Sequence, residues 1–298
     1  MNQKIFVLSL VLVAFVAGCT SSGGTQSTGK EILKITDFDS FPRNIIHPGE
    51  TLILRATVKN VADVPATFNV GEYGEDILFD YCESLYLLEN RFVILAGQPI
   101  TGENTMTLDP HQEAMFQWTF TAPTEEEIGA DMGLSHECTF KTQIKYESSA
   151  RTTSYVYFAD QNEIIQSIYT SDDLNLKGDS IATKGPVIAN LIPSGNQPIP
   201  VKDETSVWTF YIQLQNTGDG IVDVIELDIL EIDTDTQECN ILAQQDQFKI
   251  YGQKSSRIAC TTDTPDVDIL TPKKYTIAVE YEYTTRKDLK IKTEAVKY

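Results

Sequence analysis

The chain is poor in the residues that carry catalysis. It has 3 histidines among 298 residues, at positions 47, 111 and 136, each isolated from the others. His-Glu-x-x-His, a phosphate-loop glycine pattern, Gly-x-Ser-x-Gly and Cys-x-x-Cys are all missing. That removes the motif-borne routes to zinc proteolysis, nucleotide hydrolysis, serine hydrolysis and thiol exchange. Positive charge is scarce as well: Lys and Arg number 23 against 43 Asp and Glu, a formal net charge of −20. Such a surface repels phosphate backbones and offers no basic patch to anionic headgroups, so no nucleic-acid partner is expected. Long apolar runs are missing too. The longest, from Ile5 to Gly18, falls short of the roughly 20 residues that span a bilayer comfortably as a helix.

That short run is nonetheless the most informative stretch present. It follows one positive charge, Lys4, and ends at Val16-Ala17-Gly18-Cys19, after which the chain reads TSSGGTQSTGK. A positive start and a short apolar segment closed by small residues mark a secretory signal. Val16-Ala17-Gly18-Cys19 resembles the lipobox of prokaryotic, possibly archaeal, lipoproteins. The resemblance covers the first 19 residues and implies that residues 1–18 are removed and that the thiol of Cys19 receives a diacylglyceryl-type lipid. It also implies a location outside the cytoplasmic membrane, at the cell surface, with the membrane as a partner through the lipid. A two-chain lipid anchors durably where one chain is marginal, and residues 19–30 would form a flexible tether. An ordinary cleaved signal and an uncleaved anchor are the other readings of the same run.

The 5 cysteines stand at 19, 82, 138, 239 and 260. Placing lipid on Cys19 leaves an even number, and export is where disulfides persist. Of the three possible pairings, Cys82–Cys138 and Cys239–Cys260 are the simplest, each closing within one half of the chain. Buried free thiols are the alternative. On loop-closure entropy the two bridges would contribute about 4 and 3 kcal/mol as upper values.

Alternating patterns dominate the rest. Leu52, Leu54, Ala56 and Val58 fall on one face of TLILRATVKN; Trp208, Phe210, Ile212 and Leu214 fall on one face of VWTFYIQLQN. Period-2 alternation is the signature of half-buried strands. GETLILRATVKNVADVPATFNV answers DETSVWTFYIQLQNTGDGIVDV, including Asn60 and Asn216 before a turn, which indicates an internal repeat of about 130 residues. Cys138 opens the penultimate strand of its module, whereas Cys260 is placed near the position of Phe120. Each half is expected to end in a hairpin, the first turning at Ser148-Ser149-Ala150 and the second between EYTT and LKIK.

These readings give an all-β chain with a domain at 31–160, a linker at 161–184 bearing a short helix around Ile164, Ile165 and Ile168, and a second domain at 185–298. Short alternating strands with turn punctuation indicate β-sandwiches. VKNVADVPATF and LQNTGDGIVDV resemble the cell-adhesion-related and other immunoglobulin-like repeats of prokaryotic surface proteins. That resemblance implies two tandem immunoglobulin-like antiparallel β-sandwiches.

Sites are few. His47 and His111 read as turn histidines, and His136-Glu137-Cys138 lacks the geometry of a closed zinc site. Calcium is the one cofactor with candidate ligands: Asp233, Asp235 and Glu238 in EIDTDTQE, and Asp263, Asp266 and Asp268 in TTDTPDVD. A Cys239–Cys260 bridge would gather these carboxylates, although the calcium-loop glycine and closing glutamate are missing. A solvated acidic rim is the plainer reading. Leu85, Leu87, Leu88 and the run Phe92–Leu95 fit either extra buried sheet or a partner patch. Tyr155 with Tyr157, and Tyr281 with Tyr283, share faces as glycan platforms do and as ordinary packing does. The expected role is a non-enzymatic, lipid-anchored surface protein for display, adhesion or envelope assembly, with other envelope proteins or glycans as partners. Glycan or solute binding, and an accessory role to a surface hydrolase or transporter, are the alternatives.

Overall fold

The structure is a computed structural model that describes residues 31–71, 74–100, 104–129, 135–162, 164–165, 176, 178–202, 206–230, 237–239, 248–267 and 270–294. In chain order the strands are β1 (Leu33–Phe41), β2 (Ile45–Ile46), β3 (Thr51–Asn60), β4 (Ala66–Asn69), β5 (Leu78–Asp80), β6 (Leu87–Leu95) and β7 (Gln98–Ile100). They continue with β8 (Thr105–Leu108), β9 (Glu113–Thr121), the one-turn helix α1 (Glu125–Ile128), and β10 (Ser135–Asp160). The second half holds β11 (Ser180–Ala182), β12 (Val187–Pro193), β13 (Ile199–Val201), β14 (Val207–Asn216) and β15 (Ile221–Leu230). The last four are β16 (Gln237–Cys239), β17 (Phe248–Tyr251), β18 (Ser255–Asp263) and β19 (Leu270–Glu294). The chain is all-β and overwhelmingly antiparallel; among the described residues only the short β2 and β13 pair in parallel. Residues 161–162 and 164–165 are helical, with Ile165 exposed, and Ile168 lies outside the described residues.

Alternation placed β3 and β14 correctly. Leu52, Leu54, Ala56 and Val58 of β3 are fully buried, as are Phe210, Ile212 and Leu214 of β14, while the intervening residues face water. Five strands form one sheet in the order β1-β3-β9-β6-β7, and four form another in the order β12-β14-β18-β16.

Neither terminal hairpin forms. β10 and β19 are single strands of 26 and 25 residues. They pair in one unbroken antiparallel ladder from Ser135↔Glu294 to Ala159↔Leu270. A two-residue hairpin needs left-handed backbone, and no residue of either strand has positive φ. Ser148, Ser149 and Ala150 carry no glycine or asparagine to supply it, so the alternation runs straight through them. Phe140 and Ile144 before that point and Val156 and Phe158 after it are all buried on the same, even-numbered face.

The consequence is an exchange of strands. The start of β10 lies over the first sheet, where Phe140 meets Phe120 at 5.4 Å between ring centroids. Its end lies over the second sheet, where Phe158 meets Trp208 at 5.2 Å. β19 runs the opposite course: Tyr275 near its start packs on Trp208 at 5.6 Å, and Thr293 near its end bonds Tyr86 in the first half at 2.5 Å. The two smaller sheets therefore sit side by side on one face of a single long sheet. Each is completed by a strand segment from the other half of the chain.

The internal repeat is visible in the hydrogen bonds. Asn60 Nδ2 donates to Val64 O (2.7 Å) and Leu108 O (2.9 Å), and its Oδ1 accepts from Ala62 N (2.9 Å). Asn216 Nδ2 donates to Gly220 O (2.8 Å) and Ile250 O (3.4 Å), and its Oδ1 accepts from Gly218 N (3.0 Å). The cis peptides Phe41-Pro42 and Gln197-Pro198 are separated by the same interval as the two asparagines. That interval shortens further along the chain because the first half carries β5 and a longer β6–β7 hairpin where the described part of the second half has β16 alone. The apolar run Phe92–Leu95 belongs to this addition: it forms the end of β6 against β9, with Val93 buried and Leu88 and Leu95 packed on the core. Leu87 is 67% exposed.

Candidate functional site

The long ladder has a midpoint, and polar groups collect there. Tyr146 and Tyr283 are cross-strand partners with ring centroids 5.4 Å apart. Both rings point into the face covered by the smaller sheets. The Tyr146 hydroxyl accepts from Ile32 N at 3.1 Å. The Tyr283 hydroxyl accepts from Gly220 N at 2.7 Å and donates to Glu31 Oε1 at 3.1 Å. Gly220 is required by this approach: a Cβ there would collide with Thr284 O and the Tyr283 ring. Burial pushes both phenols well above the ordinary tyrosine range, and nearby Glu31 adds to the effect. The described chain thus enters the body at its waist, between the two halves.

Beside the waist lies a cleft of about 480 Å³ whose walls include Pro65, Thr67 and Asn69 on one side and Lys145 and Glu147 on the other, with Glu282 also lining it. Its origin is a seam in the long sheet. Val70 N bonds Asn104 O at 2.9 Å, which continues the bonded set of Ala66 and Phe68 toward β8 and turns the backbone groups of Thr67 and Asn69 toward β10. Gln143 N bonds Ile77 O at 2.8 Å, so the odd-numbered residues of β10 turn to the same seam. No described ladder joins β4 to β10 across it, whereas the repeat-related strands β15 and β19 pair directly. The cleft offers backbone donors and acceptors with Lys145, Glu147 and Glu282 at its walls. It holds no nucleophile paired with a base. A second cleft of about 410 Å³, near Tyr81, Trp118 and the Arg91–Glu75 ion pair (3.1 Å), has none either.

The other sequence-derived candidates are dispersed. His111 has a φ of 64° between β8 and β9, with Nε2 at 3.7 Å from Asp63 Oδ1, so it is a turn residue as read. His47 follows β2, and its Nδ1 lies 3.0 Å from Glu294 O. His136 pairs with Thr293 near the far end of the ladder, with Nε2 buried. Cys82 and Cys138 form a disulfide with a Cα–Cα distance of 5.9 Å, which leaves the His136-Glu137-Cys138 tripeptide without a thiolate. Cys260 is disulfide-bonded and buried, and Cys239 is its backbone partner across β16 and β18. In the repeat Cys260 stands at the position of Trp118, two residues before Phe120 on the same strand, each pairing with the matching residue of the neighbouring strand. The offset reflects the in-register pairing of Leu54 with Trp118 and of Phe210 with Cys260.

Among the calcium candidates, Asp263 is half-buried and Asp266 exposed, and Glu238 pairs with Thr261 through the backbone. Asp233, Asp235 and Asp268 lie outside the described residues, as does Cys19. No group of three metal-ligating side chains occurs among the described residues. Tyr281 and Tyr283 are buried and form no platform, while Tyr155 is 38% exposed on the wet face. Sequence reasoning missed the waist and the seam. The only signal for either was the polar tip that tyrosine carries into a core.

No protein-family model matches the chain, and no curated protein does. Among solved structures, a protein of unknown function from Porphyromonas gingivalis W83 is 11% identical over 78% of this chain and 83% of its own, with a TM-score of 0.20. The secreted serine protease VesC from Vibrio cholerae is 9% identical over 83% and 49%, with a TM-score of 0.17. Red sea bream transglutaminase is 9% identical over 90% and 32%, with a TM-score of 0.18. Scores this low carry no argument about fold or function.

Proposed function

We propose that the chain is a non-enzymatic lipoprotein held at the cell surface through Cys19, displaying two immunoglobulin-like sandwiches for adhesion or envelope assembly. The observation that carries the reading is the leader ending in Val16-Ala17-Gly18-Cys19. Export agrees with the Cys82–Cys138 disulfide, since such bonds persist outside the cytoplasm. The pairing of Cys239 with Cys260 belongs to the same reading. The face-to-face packing of short antiparallel strands supports the immunoglobulin-like assignment, with the final strand of each sandwich exchanged.

The decisive measurement is the intact mass of the native protein extracted from membranes, before and after reduction. The expected mass lacks residues 1–18, carries a diacylglyceryl adduct and rises by four hydrogens on reduction. Recovery from the cytosol with the leader intact would overturn the proposal. The waist cleft favours one second reading, capture of a small polar solute. Titration with neutral oligosaccharides decides between them: heat of binding that is lost on filling the cleft by Thr67→Trp supports capture, and none supports display alone.

A further inference from the structure

We propose that the protein lies side-on against its membrane, with both far ends of the body held at equal height. The inference rests on the lipid-anchor reading and deepens it. The β10–β19 ladder runs through the whole body, and the 25 residues of β19 give it a length of about 80 Å. The chain enters at the midpoint of that ladder: Glu31 bonds the Tyr283 hydroxyl, and Ile32 N bonds Tyr146, the cross-strand partner of Tyr283. Either end of the body is therefore about 40 Å from the point of attachment.

Between Cys19 and Glu31 stand residues 20–30. Fully extended, the twelve steps from Cys19 to Glu31 reach at most about 40–43 Å. Glycine- and serine-rich linkers of this length span about 17–20 Å on average. A body standing on one end must lift its waist by half its length, which holds the tether at its limit. A body lying along the surface leaves the tether at its natural span. The continuous ladder supplies no hinge at the waist through which one half could rise alone.

The test uses the lipidated full chain, extracted from membranes and reconstituted into vesicles with an energy-transfer acceptor on the outer headgroups. A donor is placed by nonsense suppression at Ser135 in one preparation and at Leu270 in another; these residues mark opposite ends of the ladder and are both exposed. Equal transfer from the two sites is expected. Transfer from one site with loss from the other, in protein that floats with the vesicles, overturns the side-on stance and leaves the lipid anchor intact. Protein that does not float with the vesicles overturns the anchor and the stance together. A chain whose tether is lengthened by about thirty Gly/Ser residues provides the control: transfer from both sites falls together.

Discussion

Asn60 and Asn216 each tie a turn to the next hairpin strand from a fully buried position. Replacing either with alanine leaves two carbonyls and one N–H without partners, so each of Asn60→Ala and Asn216→Ala is expected to destabilise by about 2–4 kcal/mol. Asn90→Ala, at an exposed position, serves as a near-neutral control in urea melts. The buried tyrosines make a second demand. Burial raises the phenols of Tyr86, Tyr146, Tyr275, Tyr281 and Tyr283 above the ordinary value of 10.0. Their folded pKa values exceed the unfolded ones, so this contribution is complete below about pH 10 and is lost as pH rises beyond it. Melting temperature should hold from pH 8 to about 10 and then fall steeply, with phenolate absorbance from these residues appearing only as the protein unfolds. The asparagines were legible in the sequence as a repeated mark before a turn. The tyrosine tips were not, because alternation reports which face a ring occupies and says nothing about what its hydroxyl meets.

At the scale of strands, reading the sequence succeeded wherever burial on one face was the deciding force. β3, β9 and β14 follow their alternation residue by residue. It failed at Ser148-Ser149-Ala150, where a polar triplet resembled a turn but carried none of the backbone chemistry a tight turn requires. Its inward residue, Ala150, keeps the even-numbered face apolar, so the strand passes through. The seam between β4 and β10 was hidden for a related reason: the spacing of two strands across a sheet depends on partners distant in sequence. The ladder gives a sharp contrast between adjacent residues. Odd-numbered residues of β10 turn their N–H groups away from β19, as Gln143 and Tyr155 do in bonding Ile77 and Asp179; even-numbered residues bond β19. Ala150→Pro removes a ladder bond at the waist and is expected to cost about 3 kcal/mol or more. Ser149→Pro removes none and should cost markedly less. Chemical denaturation of the two variants side by side checks the order; equal losses would contradict the ladder.

At the scale of the whole molecule, the exchange of strands means that neither half has a complete core of its own. Cys138, Phe140 and Ile144 of the first half are roofed by a ladder whose other strand, from Tyr283 to Glu294, comes from the end of the chain. Ala150, Val156 and Phe158 serve the second half in the same way. Two sandwiches joined only by a linker unfold independently and in general at different midpoints; two that share a continuous ladder expose each other's core when either opens. The chain has 2 tryptophans, Trp118 in the first core and Trp208 in the second, which makes the distinction measurable. In Trp208→Phe the remaining fluorescence reports the first half, and in Trp118→Phe it reports the second, while far-UV circular dichroism reports both. Each variant should show one transition, with fluorescence and dichroism coincident across urea. A dichroism curve that begins before or ends after the fluorescence transition would mean that the halves separate, and the ladder through the waist would then be too weak to couple them. Coincidence is the stronger expectation because the residues that would have to part at the waist, Tyr146, Tyr281 and Tyr283, are among the most deeply buried in the protein, and separating them exposes both cores to water at the same step.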